Sequence, residues 1–171
     1  MLIISDASSL ILLQKIGLLA RLAKKFSFVI TPHVYKEAVE NGKDKNAPDA
    51  YAIDAKVEEG SIRVLQTKNI RTVEDIMRKF GTERGESETI ALYLDRKEGI
   101  VAVDDHKAMV VCNFYDVPFT TSLVMVVKAK KAGLITLQEA KKMISDLGIF
   151  GRYKDDLIKE AVGIVEGAEN D

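Results

Sequence analysis

Four carboxylates in this chain stand where the surrounding pattern gives them chemical interest: Asp6, Glu37, Glu86 and Asp105. Asp6 ends the apolar run that begins at Leu2, and Asp105 follows the run Ile100 to Val103 by one residue, so both fall at the carboxyl ends of expected strands. Glu86 stands one and two turns before Ile90 and Leu94, on the helical stripe that should face a sheet. Glu37 lies midway along a helix announced by Thr31-Pro32, beside Val34. An isolated buried carboxylate is costly, so an acid on an inward stripe needs a basic neighbour or a bound cation. Four oxygen donors without His or Cys among them suit a hard cation, Mg²⁺ or Mn²⁺, which keeps part of its water shell and leaves positions open for phosphate. A water on such an ion is acidic enough to attack phosphorus, and one or two ions stabilise the charge on the attacking and leaving oxygens.

Each acid also has a plainer explanation. Asp6 and Asp105 would cap the helices that follow them. Glu86 is a first-turn acid favoured by the helix dipole, and Glu37 would make a surface ion pair. Asp104 competes with Asp105, because ending the strand one residue earlier reverses which side chain faces the pocket. Glu88, half a turn from Glu86, is expected in solvent. His33 and His106 have no second histidine nearby and read as surface residues, Cys112 as a small core residue. Arg78, Lys79 and Arg84 precede Glu86 and read first as a solvated face.

The elements that must position these acids alternate strand and helix. Leu2 to Ser5 is apolar without interruption, the pattern of a strand covered on both faces by helices. Two short helices broken at Gly17 follow, with Leu12, Ile16, Leu19 and Leu22 turned inward, and then the strand Phe28 to Ile30. Thr31-Pro32 starts the next helix and Asn41-Gly42 is expected to close it. Further helices are expected around Tyr51 to Val57, over Val73 to Phe80 after a capping box at Thr72, and from Gly85 to a stop at Gly99. Strands are expected at Ile62 to Leu65, Ile100 to Val103 and Val117 to Thr120, and helices near 107–114, 122–131, 136–146 and 154–165. This order specifies an α/β fold with a parallel sheet of four or five strands flanked by helices.

At 171 residues and 47% hydrophobic, the chain can bury one sizeable core. No apolar run is long enough to span a bilayer and no charged-then-apolar leader opens the sequence, so a cytoplasmic protein is expected. One cysteine excludes an internal disulfide framework. Net charge is −1, from 25 basic and 26 acidic residues, so any polyanion must be held locally rather than by a global positive field.

The stretches Ser5-Asp6-Ala7-Ser8-Ser9-Leu10-Ile11, Pro32-His33-Val34-Tyr35-Lys36-Glu37, Gly85-Glu86-Ser87-Glu88-Thr89-Ile90-Ala91-Leu92 and Val103-Asp104-Asp105-His106-Lys107, in this order, resemble a PIN domain. The resemblance runs from residue 1 to about 150 and leaves 151–171 as a helical extension packed on the same domain. It implies Asp6, Glu37, Glu86 and Asp105 as metal acids holding Mg²⁺ or Mn²⁺, with the Ser8 hydroxyl supporting the first. It also implies a ribonuclease acting on RNA, a homodimer, and a small antitoxin protein as partner where the relative is a toxin. The segment Thr120 to Met125 departs from the family pattern in lacking glycines after the last strand. A catalytically weak module that binds nucleic acid or protein is the alternative. A receiver-like phosphatase ranks last, because the first strand lacks a second aspartate two residues after Asp6.

Overall fold

The computed structural model describes residues 1–151 and 153–167; of the expected extension, residues 152 and 168–171 lie outside the described residues. Five short parallel strands, β1 (Leu2–Ser5), β2 (Ser27–Ile30), β3 (Ile62–Val64), β4 (Ile100–Ala102) and β5 (Phe119–Thr120), pair in the order β3-β2-β1-β4-β5. Helices α1 (Ala7–Lys15) and α2 (Leu19–Lys25) connect β1 to β2. Then come α3 (Pro32–Tyr35), a π-helical turn (Lys36–Glu40), α4 (Asn41–Asp44) and α5 (Pro48–Glu58), which lead to β3. α6 (Ile70–Phe80) and α7 (Arg84–Arg96) precede β4, and α8 (His106–Phe114) precedes β5. α9 (Ser122–Lys131), α10 (Leu137–Phe150) and α11 (Asp155–Gly167) end the described chain, and α11 packs on α9 and α10. The expected parallel α/β architecture is what forms, with five strands. No helix among the described residues is long and apolar enough to cross a membrane.

The unbroken apolar run of β1 is explained by its position at the centre of the sheet. Ile3 enters a core with Phe28, Ile30, Leu10 and Leu13, while Leu2 and Ile4 face the other side with Val29 and Leu92. On that second side α6, α7 and α8 contribute Ile76, Ile90, Val111 and Cys112 against Val101 and Val103. Each such side chain, fully buried, stabilises the fold by about 1.5–3 kcal/mol relative to exposure. From β1 the chain builds outward through β2 to β3, then crosses back to β4 on the other side of β1. The switch point therefore falls between β1 and β4, where the loops that follow the two strands diverge and leave a crevice. Asp6 and the Asp104-Asp105 pair flank it.

Some local expectations give way to tertiary packing. Asn41-Gly42 does not close the helix that begins at Pro32: the backbone passes through the π turn, where Asn41 N–H donates to the Lys36 carbonyl, and continues as α4. Gly42 is there for packing, since a Cβ on it would sit 2.6 Å from the Ala50 Cβ on α5. The cap of α6 is Asn69, whose side chain accepts from Thr72 N at 3.1 Å, so Thr72 lies inside the helix and forms no capping box. α7 ends at Lys97, which takes the left-handed conformation at φ 55°, two residues before Gly99.

The π turn is held from α5. Asp54, only 7% exposed, accepts from the Tyr35 hydroxyl at 2.7 Å on one oxygen and from the Lys43 ammonium on the other. Tyr35 and Lys43 lie on either side of the π turn, so one carboxylate clamps both ends of it. The Lys43 and Tyr35 hydrogen bonds hold the Asp54 carboxyl below its ordinary value. Its stabilising contribution is therefore complete above the unfolded value of about 3.9 and is lost as pH falls through the lower folded value. Asp54→Ala should destabilise the protein by about 1–3 kcal/mol in urea unfolding at pH 7, with a smaller difference in strong acid.

Candidate metal centre

The site is built on helix N-termini. Asp6 caps α1: its Oδ1 accepts from Ser9 N at 2.8 Å. Asp105 caps α8 through Oδ1, which accepts from Lys107 N at 2.7 Å and Ala108 N at 3.3 Å. Glu86 reaches back within the first turn of α7, its Oε2 accepting from Glu83 N at 3.2 Å. The plain explanations, helix capping for Asp6 and Asp105 and a first-turn position for Glu86, therefore hold for three of the four acids, and each engages one oxygen. Capping and ligation do not compete here, because a carboxylate has two oxygens.

Asp6 is the extreme case. It is 1% exposed, and its Oδ2 is buried without a hydrogen-bond partner among the described residues. Burial above all pushes its carboxyl up to about 8, with Asp104 and Glu86 adding repulsion and the Ser9 amide opposing it. Glu86 is pushed up to about 7, again by burial first and then by Asp105, with smaller contributions from Glu83 and Glu37. Glu37 is raised by burial and by Glu83 and Glu88, against the pull of His33, whose Nε2 lies 3.4 Å from its Oε1. Asp6 feels Asp104 and Glu86, and Glu86 feels Asp105 and Glu37, so these acids repel one another through space.

Asp104 and Asp105 divide the work at the end of β4. Asp104 is spent on the protein: Oδ1 accepts from Ser122 N at 2.9 Å and from the Tyr153 hydroxyl, and Oδ2 from Ser122 Oγ at 2.6 Å. Its negative charge still reaches Asp6. In the wall that lacks glycines, Ser122 anchors Asp104 while Thr121 caps α9. Three other expectations are corrected. Ser8 is exposed, and the contact to Asp6 comes from the Ser9 amide. Glu88 is 8% exposed, not in solvent, and pairs with Arg84 Nε at 2.9 Å. That pair engages Arg84, and Arg78 likewise pairs with Asp75 at 2.6 Å. His33, expected at the surface, is half-buried against Glu37. Cys112 is a core residue, its thiol pushed up to about 12 mainly by burial and therefore unreactive.

Sequence reasoning passed over Ser9, Ser122, Tyr153 and the role of His33. The spacing of His33 and Glu37, one helical turn apart, was a usable signal; Tyr153 lies too far along the chain from Asp104 to leave one.

The donor set fits a divalent cation in kind. It is oxygen only, Asp6 Oδ2 is an orphaned buried acceptor, and among the described residues neither Asp6, Glu86 nor Asp105 is paired with lysine or arginine. It is not assembled in advance: among the described residues no three His, Cys, Asp or Glu side chains stand close enough to hold an ion as they are. A family model described as PIN domain matches residues 2–166. The chain belongs to the PIN domain family. The match to the PIN domain continues past residue 150 into α11, and PIN domains are generally nucleases that typically use divalent metals. No curated protein and no solved structure matches the chain.

Between the ordinary carboxylate value and about 8, the folded metal-free protein holds more protons than the unfolded chain, because Asp6 and Glu86 are raised. Stability should therefore fall as pH rises through that window. Thermal melts in EDTA should give a higher Tm at pH 5 than at pH 8. Asp6→Asn keeps the cap but cannot ionise, and should stabilise the metal-free protein by about 1–3 kcal/mol at pH 8; a melt no higher than that of the parent would contradict this account of the site.

Proposed function

We propose that this PIN domain is a metal-dependent endoribonuclease, with Asp6, Glu37, Glu86 and Asp105 holding Mg²⁺ or Mn²⁺ and the phosphodiester bond of single-stranded RNA as substrate. The observation that carries the reading is the buried, unpaired Oδ2 of Asp6, a carboxyl raised by burial and by Asp104 and Glu86, whose ionisation a bound cation would favour. When bound, such an ion supplies an acidified water and neutralises charge on the phosphoryl oxygens. The chain's own groups bind and orient. Asp6 and Asp105 are held by the helices they cap, Glu86 by the first turn of α7, and Glu37 lies where the π turn presents it. Asp104, engaged by Ser122 and Tyr153, adds charge from behind Asp6 and leaves ligation to Asp105.

The family's toxin members extend the proposal to an antitoxin partner and a homodimer. One observation favours a second reading, a weakly catalytic module that binds nucleic acid or protein: the acids are not pre-assembled as a ligand set.

Two measurements separate these readings. Purified protein with Mn²⁺ should cleave single-stranded RNA, and both EDTA and Asp6→Asn should reduce cleavage to background; activity surviving Asp6→Asn removes the proposed chemistry. Because Asp6 and Glu86 must lose protons to bind a cation, calorimetric Mn²⁺ affinity should rise from pH 6 to pH 8, with protons released on binding. No binding at millimolar Mn²⁺ favours the module.

A further inference from the structure

Gly85 is the second residue of α7, buried, and flanked by Arg84 and Glu86. A buried glycine in the first turn of a helix calls for a reason, because alanine is the better helix former, by up to about 1 kcal/mol in a helix interior. Backbone conformation is not the reason, since Gly85 is absent from the glycines with positive φ. Close packing of another backbone is not the reason either. A Cβ built on Gly85 would overlap Glu37 Oε2 outright and would lie 3.2 Å from Glu37 Cδ and 3.4 Å from Oε1. Those three nearest atoms are the whole carboxyl group of one acid.

The opposite wall of this seat is equally specific. Glu37 belongs to the π turn, and a π turn carries one more residue than an α turn, so it rotates the side chains around it relative to a continuous helix. His33 meets Oε1 at 3.4 Å, while the Asp54 clamp holds Tyr35 and Lys43 on either side. The carboxylate is thus aimed at the first turn of α7, at the one position there that has no side chain. Glu86, the next residue, feels Glu37's charge.

We propose that Gly85 is a positioning residue: its missing side chain is the seat in which the Glu37 carboxylate lies, and this seat sets Glu37 beside Glu86 for the shared cation. The proposal rests on the metal-dependent reading above and goes beyond it by giving α7 a second role, as a surface that orients an acid it does not carry. A methyl group at this position must push Glu37 aside. The group displaced is the end of a flexible side chain, so the fold itself should tolerate the change.

The test compares parent, Gly85→Ala, Glu37→Gln and the double variant, each titrated with Mn²⁺ alone by calorimetry and melted in EDTA. Gly85→Ala should weaken Mn²⁺ binding about tenfold or more, in the range seen when the support of a ligand is removed, while its Tm stays at or above that of the parent. On the Glu37→Gln background the same substitution should cost no further affinity, because the group it acts through is already gone. Parent-like Mn²⁺ affinity in Gly85→Ala, or independent losses that multiply in the double variant, would overturn the role of Gly85 and leave the metal reading standing. A Tm several degrees below the parent would mean that backbone packing requires the glycine, and would also overturn it. Parent protein that binds no Mn²⁺ would sink the metal reading and this proposal together.

Discussion

Negative charge held in a confined place is the constraint around which this molecule is arranged. Asp6 is buried at the end of the central strand, and its carboxyl is raised to about 8 because water is excluded and other acids are near. Such a group cannot be left to itself, and the fold answers with the partial positive charge of helix N-termini. α1, α7 and α8 begin at the crevice, and the amides at each start tie down one oxygen of an acid, Asp6, Glu86 and Asp105 in turn. The second oxygens remain for something else. The uncompensated part of the repulsion lowers the stability of the metal-free fold, a cost expected where function demands strain.

Around this centre, ordinary side chains do the positioning. Ser122 and Tyr153 engage both oxygens of Asp104, whose charge acts on Asp6. Asp54 clamps the π turn from α5, and that turn delivers Glu37 to the start of α7. His33 balances Glu37 on one side while Gly85 leaves it room on the other. The acids thus depend on residues that never enter the crevice, and membership of the PIN domain family places this arrangement on a nuclease-type fold.

Much of the framework was legible because it follows from local pattern. The apolar runs became strands β1, β2 and β4, the break at Gly17 separated α1 from α2, and Thr31 caps α3 through Val34 N at 3.3 Å. The errors share a physical origin. Glu88 looked solvent-facing because a helical wheel does not show that residues of α3 and the segment after β3 form a groove around it. Asn41-Gly42 looked like a stop because local signals cannot show that Ala50 would press on that glycine. The Ser9 amide, and not the Ser8 hydroxyl, reaches Asp6, because the cap geometry of α1 puts the third residue's N–H over the carboxylate.

By itself the sequence determined the alternation of elements and the parallel sheet, and it singled out acids for a proposed site, since each of these depends on residue type and spacing along a few turns of chain. How near those acids come to one another was decided only by tertiary structure. That outcome rests on the chain crossing back to lay β4 against β1, with Ser5 opposite Ala102, which brings Asp6 next to a loop almost a hundred positions away in sequence. The same holds for the seat of Glu37 on Gly85, for the Asp104 anchor at Tyr153 and for the raised carboxyls. Burial and charge coupling are properties of distances through space, and a linear pattern carries no record of them.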